Sequence, residues 1–194
     1  MMPSAKASRR RLRNNADQDE ETQSYYGPMT ERQKFDLIKK IDNVELRNYH
    51  ECVMADVIVN APYSSAANLG FRPLVTYISE NRIAMTAPVV QEQLHTDSWV
   101  VSFVMPADMK LDDLPLPKNR SVTLRTITQH TAAALVFRGM TTEHMVQFRE
   151  NQLRETLHNH NIPITGPMRI ARFDPPWKPG FMRHNEVIVP VSFP

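Results

Sequence analysis

Val44-Glu45-Leu46-Arg47 has an echo later in the chain: Val122-Thr123-Leu124-Arg125 repeats its pattern at an offset of 122 − 44 = 78. At the same offset Ala55, Val57 and Val59 fall on Ala133, Leu135 and Phe137. At an offset of 79, Met85-Thr86-Ala87-Pro88 is answered by Ile164-Thr165-Gly166-Pro167. One four-residue echo arises by chance, but three in register point to two copies of one structural unit.

Each echo sits in a segment with readable periodicity. Phe35 to Ile41 reads as a short strand, and Asp42-Asn43 as a two-residue hairpin turn, because both residues tolerate positive φ. Val44 to Tyr49 alternates apolar and polar residues, and Val53, Ala55, Val57 and Val59 share one face of the next strand. A helix is expected from about Ser64, which can cap it, with Ala67, Phe71, Leu74 and Ile78 as one stripe. Gly70 and Pro73 predict a kink there. Ser98 to Met105 reads as a further strand, and residues 108–118, with Pro115 and Pro117, as a loop. The second copy has a helix capped by Thr141 or Thr142, with Met145, Val146, Phe148, Leu153 and Leu157 as its apolar stripe. Asn185 to Val191 closes the chain as a strand.

Neither strand-helix-strand-strand unit can bury its helix stripe and its sheet face alone, so the two sheets are expected to join. The fold class expected is α+β: pseudo-two-fold duplicated units forming a distorted antiparallel β-barrel or saddle flanked by two helices.

Composition sets the broad class. The chain has 194 residues, 41% hydrophobic and 23% charged, which suits one globular domain. No stretch reaches the roughly 20 consecutive apolar residues of a membrane span, and no apolar segment follows Arg9-Arg10-Arg11 as in a secretory signal. A cytoplasmic location is expected. A net charge of +2 gives no basis for a nucleic-acid partner. Residues 1–29 place a basic cluster before Asp17, Asp19, Glu20 and Glu21 without apolar periodicity, and read as a disordered charged tail ahead of a domain over residues 30–194. Cys52 is the only cysteine, in a strand-like setting that suits an inert buried thiol rather than a nucleophile.

Five pieces in order carry a family resemblance. They are Val44-Glu-Leu-Arg-Asn-Tyr49, Phe71-Arg-x-Leu-x-x-Tyr-Ile78, Ile83-Ala-Met-Thr-Ala-Pro-Val89, Arg172-Phe-Asp-Pro-Pro-Trp177 and Arg183-x-Asn-Glu-Val187, with Trp99 to Pro106 similar to the strand that follows the third. From about Phe35 to Val191 the chain resembles the SOUL/haem-binding family. The resemblance implies a distorted β-barrel with two helices and a shallow apolar cleft against the first helix, holding haem or another porphyrin non-covalently.

On that resemblance the ligand-binding candidates are Ala67, Phe71, Leu74 and Ile78 on the helix stripe, with Arg72 and Arg47 as cations for the propionates. Each has a plainer reading: core packing for the stripe, a solvated or ion-paired guanidinium for the arginines. A position that carries His in some members is Asn48 here, which leaves His50 as the iron-ligand candidate or a strand-end histidine. Met54 and Met85 are softer donors that also suit a core. His158 and His160 point apart at a helix end with no carboxylate or thiol cluster beside them. No glycine-rich phosphate loop or serine nucleophile elbow is present.

The function expected is a cytosolic carrier or buffer of a tetrapyrrole. Alternatives are an effector-binding or protein-interaction module of gyrase-inhibitor-like type and a tetrapyrrole-modifying enzyme. Fold alone does not choose among them.

Overall fold

A computed structural model describes residues 30–193, and residues from Glu31 onward form one folded unit. The charged tail expected over residues 1–29 lies outside the described residues. Among the described residues the strands are β1 (Phe35–Ile41), β2 (Val44–Tyr49), β3 (Cys52–Asn60), β4 (Val89–His95), β5 (Ser98–Val104), β6 (Val122–Ile127), β7 (His130–Arg138), β8 (Arg169–Arg172) and β9 (His184–Pro190). The two long helices are α1 (Tyr63–Glu80), between β3 and β4, and α2 (Glu143–Asn159), between β7 and β8.

All nine strands pair antiparallel in one sheet of order β1-β2-β7-β9-β8-β4-β5-β3-β6. β2 and β3 are joined only by His50 and Glu51, and β6 and β7 only by Thr128 and Gln129, yet each pair is far apart in that order. Such short connections force the sheet to curl until its ends approach. The result is a half-barrel, the distorted antiparallel barrel or saddle with two helices that was expected, with β1 and β6 as its edges. The order is compatible with a duplication: leaving out β1, exchanging β2 with β6, β3 with β7, β4 with β8 and β5 with β9 reverses the other eight strands end for end.

The alternation of each strand sorts its residues onto two faces. Val44, Leu46, Val53, Ala55, Val57, Val101, Phe103, Ala133, Leu135, Ile170, Val187 and Val189 face the helices and form one continuous core with Leu74, Ile78, Leu153 and Leu157. α1 lies on β3 and β5, and α2 on β7 and β9. The opposite face carries a small apolar cluster of Tyr49, Ala132, Ala134, Ala171 and Ile188 together with most of the buried charge.

The helix starts divide the expectations. Thr142 caps α2 by accepting from the Met145 amide at 3.3 Å. α1 begins one residue before Ser64, with Pro62 in the cap position and no side-chain cap. Pro there fits the rule that the first helical amides have no intrahelical acceptor to lose. α1 also runs unbroken through Gly70 and Pro73. Gly70 serves a packing role instead: a Cβ there would stand 2.5 Å from Cβ of Val101, so its absence lets the helix approach β5 closely. No helix among the described residues is long and apolar enough to cross a membrane.

Candidate functional site

The face without helices is built around Arg47 and Glu186. Arg47 alternates with Leu46 on β2 and so points away from the helices; only 3% of each of Arg47 and Glu186 is exposed. Arg47 Nη1 donates to Glu186 Oε2 at 2.6 Å and to the Tyr49 hydroxyl at 2.9 Å, while its Nη2 donates to Glu45 Oε2 at 2.7 Å. Its guanidinium also stacks over the Phe35 ring at 4.1 Å. His184 Nε2 reaches Glu186 Oε1 at 2.9 Å. Burial pushes the Glu186 carboxyl up, but hydrogen bonds and charge from His184 and Arg47 outweigh it and hold the group below the ordinary range. Burial pushes the Tyr49 phenol up to about 12.

Beside this network lies a cleft of about 230 Å³. Its apolar walls are Met54, Val90, Val100, Ile127 and Pro190, and its polar groups are Glu92, Ser102, Arg125, Thr128, His130 and Arg169. These residues come from seven consecutive strands of the sheet order, from β7 to β6, so the cleft occupies the inside of the curl.

Arg169 is the group that distinguishes the cleft. It is 8% exposed, and among the described residues no carboxylate stands within 4.0 Å of it. Glu92 is its cross-strand partner in register and acts on it through charge, but the close contacts of the guanidinium are the Tyr49 ring, with its centroid 5.8 Å away, and His130 Nε2 at 3.2 Å. His130 Nδ1 donates to the Thr128 carbonyl at 2.9 Å, which assigns the proton to Nδ1 and leaves Nε2 as an acceptor. Burial, and then the nearby Arg169 charge, push the His130 imidazole down despite the Thr128 bond, so it is neutral at pH 7. Burial pushes the Glu92 carboxyl up. Arg125 pairs with Asp56 at the far wall, and Asp56 Oδ1 is buried without a hydrogen-bond partner.

A buried cation with no carboxylate in direct contact costs free energy, which an anion bound beside it would offset; Glu92 acts on Arg169 only from a distance. The cleft thus offers an apolar slot, two guanidiniums and a neutral imidazole nitrogen. That donor set fits a flat apolar ligand with carboxylates at its rim, and one able to accept a nitrogen ligand. Among the described residues no cluster of three or more His, Cys, Asp or Glu could hold a metal ion by itself.

The residues named from sequence fall in three places. Leu74 and Ile78 are sealed in the helix-side core. Ala67 and Phe71 are half-buried on α1, with Phe71 edge-on to Phe103 at 5.1 Å, and Arg72 is exposed beside them. Arg47 lies on the opposite face of the sheet in its ion pair. His50 is exposed past the end of β2, where its Nε2 meets Asp36 Oδ2 at 2.8 Å. The structure does not bring Arg47 or His50 to the α1 stripe. Sequence reading missed Arg169, His130 and Glu92. Arg125 carried a signal, since the sequence echo aligns it with Arg47, and both arginines face the inside of the curl.

A sequence profile described as SOUL heme-binding protein matches residues 30–190, most of the chain. The chain belongs to the SOUL family. No curated protein matches this SOUL chain. Its fold is similar to the EcmrR C-terminal domain, with a TM-score of 0.62 at 13% identity over 77% of this chain and 96% of that one. It is similar also to EcmrR in its DNA complex, with a TM-score of 0.60 at 15% identity over 77% of this chain. The SOUL chain spans only 57% of that protein's length. An uncharacterized conserved protein from Listeria innocua shares the fold at a TM-score of 0.53 and 12% identity, over 90% of this chain and 98% of that one. At these identities the likeness concerns the fold alone.

Proposed function

We propose that this SOUL protein binds haem or a related tetrapyrrole non-covalently in the cleft inside the half-barrel, and acts as a cytoplasmic carrier or buffer of that ligand. The observation that carries the reading is Arg169, a buried guanidinium without a carboxylate partner, next to a neutral imidazole on an apolar-walled cleft. Propionates of a tetrapyrrole supply the missing counter-charge through charge-assisted hydrogen bonds. A bound haem would bring its redox-active iron, for which His130 Nε2 is the candidate protein nitrogen. With a single cysteine the chain lacks the paired thiols of covalent haem attachment.

At about 230 Å³ the cleft is smaller than the range of about 300–1,000 Å³ that encloses a drug-sized ligand, so the macrocycle would sit partly outside it. Partial seating suits a carrier, which must release its cargo. The α1 stripe remains a second proposed seat, through half-buried Ala67 and Phe71 and exposed Arg72, with Leu74 and Ile78 beneath them.

Titration of the full chain with haemin, followed at the Soret band, tests the reading. A saturable one-to-one shift is expected, and haemin dimethyl ester should bind at least about tenfold more weakly because it offers no carboxylate to Arg169. Absence of any Soret response would overturn the proposal.

A further inference from the structure

Two strongly exposed aromatic side chains stand on the loop between β8 and β9, near the connection that leads into α2. Trp177 is 84% and Phe181 77% exposed, and Met140 and Met182 are exposed beside them. Met140 lies against this loop: a Cβ on Gly180 would stand 2.9 Å from Cγ of Met140, and the Gly139 amide donates to the Arg183 carbonyl at 3.0 Å.

The 174–183 loop holds this patch out by its own bonding. Arg183 donates from Nε to the Lys178 carbonyl at 2.9 Å, and from Nη2 to the Pro176 carbonyl. The Asp174 carboxylate accepts from the His184 amide at 2.6 Å and pairs with Lys178 at 2.9 Å. The Met182 amide closes a turn onto the Pro179 carbonyl at 2.9 Å. Trp177 and Phe181 therefore protrude from a braced loop that does not fold back over them.

Charge says what the patch meets. Asp174, the acid within the loop, is turned inward and already paired. Arg138, cross-strand from His184, is exposed, and neither it nor Arg183 has a carboxylate partner among the described residues. A protruding Trp and Phe, with exposed Met140 and Met182 near them and Arg138 exposed at the end of β7, match the chemistry of an interfacial anchor: aromatic rings enter the headgroup layer while a cation attracts anionic lipids. A convex tip suits a fluid bilayer, whereas a protein partner would need a matching pocket. We infer that the 174–183 loop docks this protein on an anionic phospholipid surface, an interaction separate from the cleft.

Tryptophan fluorescence of the full chain tests this directly. The chain has two tryptophans; Trp99 is buried and donates to the Ala61 carbonyl, so Trp177 is the reporter. Vesicles of phosphatidylcholine with phosphatidylserine should shift the emission to the blue, and brominated acyl chains should quench it. Phe181→Ser should weaken vesicle binding about tenfold or more, from the lost apolar burial. Arg138→Gln should weaken it about fivefold on anionic vesicles only. The inference is overturned if vesicles leave Trp177 emission unchanged. It is equally overturned if the blue shift follows protein concentration without lipid, or if a Trp177→Ser/Phe181→Ser variant co-sediments with vesicles as well as the wild type.

Discussion

The Arg169 guanidinium meets Nε2 of His130 at 3.2 Å, in a place where a carboxylate would be expected to balance it. Its cross-strand neighbour Glu92 does not fill that place, and burial favours the protonated form of Glu92. A residue kept for folding would be paired; one kept for a ligand lowers stability until the ligand arrives.

Arg169→Met should therefore leave the melting temperature unchanged or raise it, because a buried charge is replaced by an apolar chain of similar length. The same substitution should weaken haemin binding by at least about tenfold. Calorimetric melting beside a Soret titration reads both effects. A fall of several degrees would mark Arg169 as part of the structural network instead.

Glu186 makes the opposite prediction. Its carboxyl is held below the usual value of about 4.3, so its contribution to stability is fully present above that pH and is lost as pH falls through the lower folded value. Glu186→Gln should flatten this acid limb. At neutral pH it should cost about 3 kcal/mol, since Arg47 is left buried with Glu45 as its remaining carboxylate. Urea melts of both proteins between pH 3 and pH 7 check the sign.

His130 acts in a higher window. Its folded pKa is depressed, so the unfolded chain takes up the proton first as pH falls below about 6.5, and stability declines from there toward the folded value. His130→Gln should remove that slope while leaving the Glu186 limb in place. The pH dependence of urea midpoints resolves the two.

Gly70→Ala should destabilise the fold by about 1–3 kcal/mol despite the better helix propensity of alanine, because the new methyl meets the Val101 side chain on a central strand. Denaturant unfolding measures it. A stabilised variant would show that α1 can lift from β5 without cost.

The echoes at Val44 and Val122 open β2 and β6, which take mirrored places in the strand order, a placement compatible with the two-unit plan read from them. The hairpin at Asp42-Asn43, with Asp42 at φ 51°, and the Thr142 cap were legible from local chemistry. The start of α1 was not, since Pro62 leaves no side-chain signature of a cap. The inside of the curl was the least legible. β8 is four residues long, too short to show an alternation, so Arg169 read as one cation among many. The approach of His130 to Arg169 depends on the sheet curling, which no local pattern encodes. Arg47 was visible as an ion-pair candidate, but its partner Glu186 lies 139 residues away.

The central claim is that the ligand sits inside the half-barrel, and one comparison tests it: haemin dissociation constants of the wild type, Arg169→Met and Phe71→Asp, measured side by side at pH 7. The cleft account predicts a loss of at least about tenfold for Arg169→Met and a change of less than about threefold for a folded Phe71→Asp. Loss of binding in a folded Phe71→Asp with full affinity in Arg169→Met would contradict it and move the ligand to the α1 stripe.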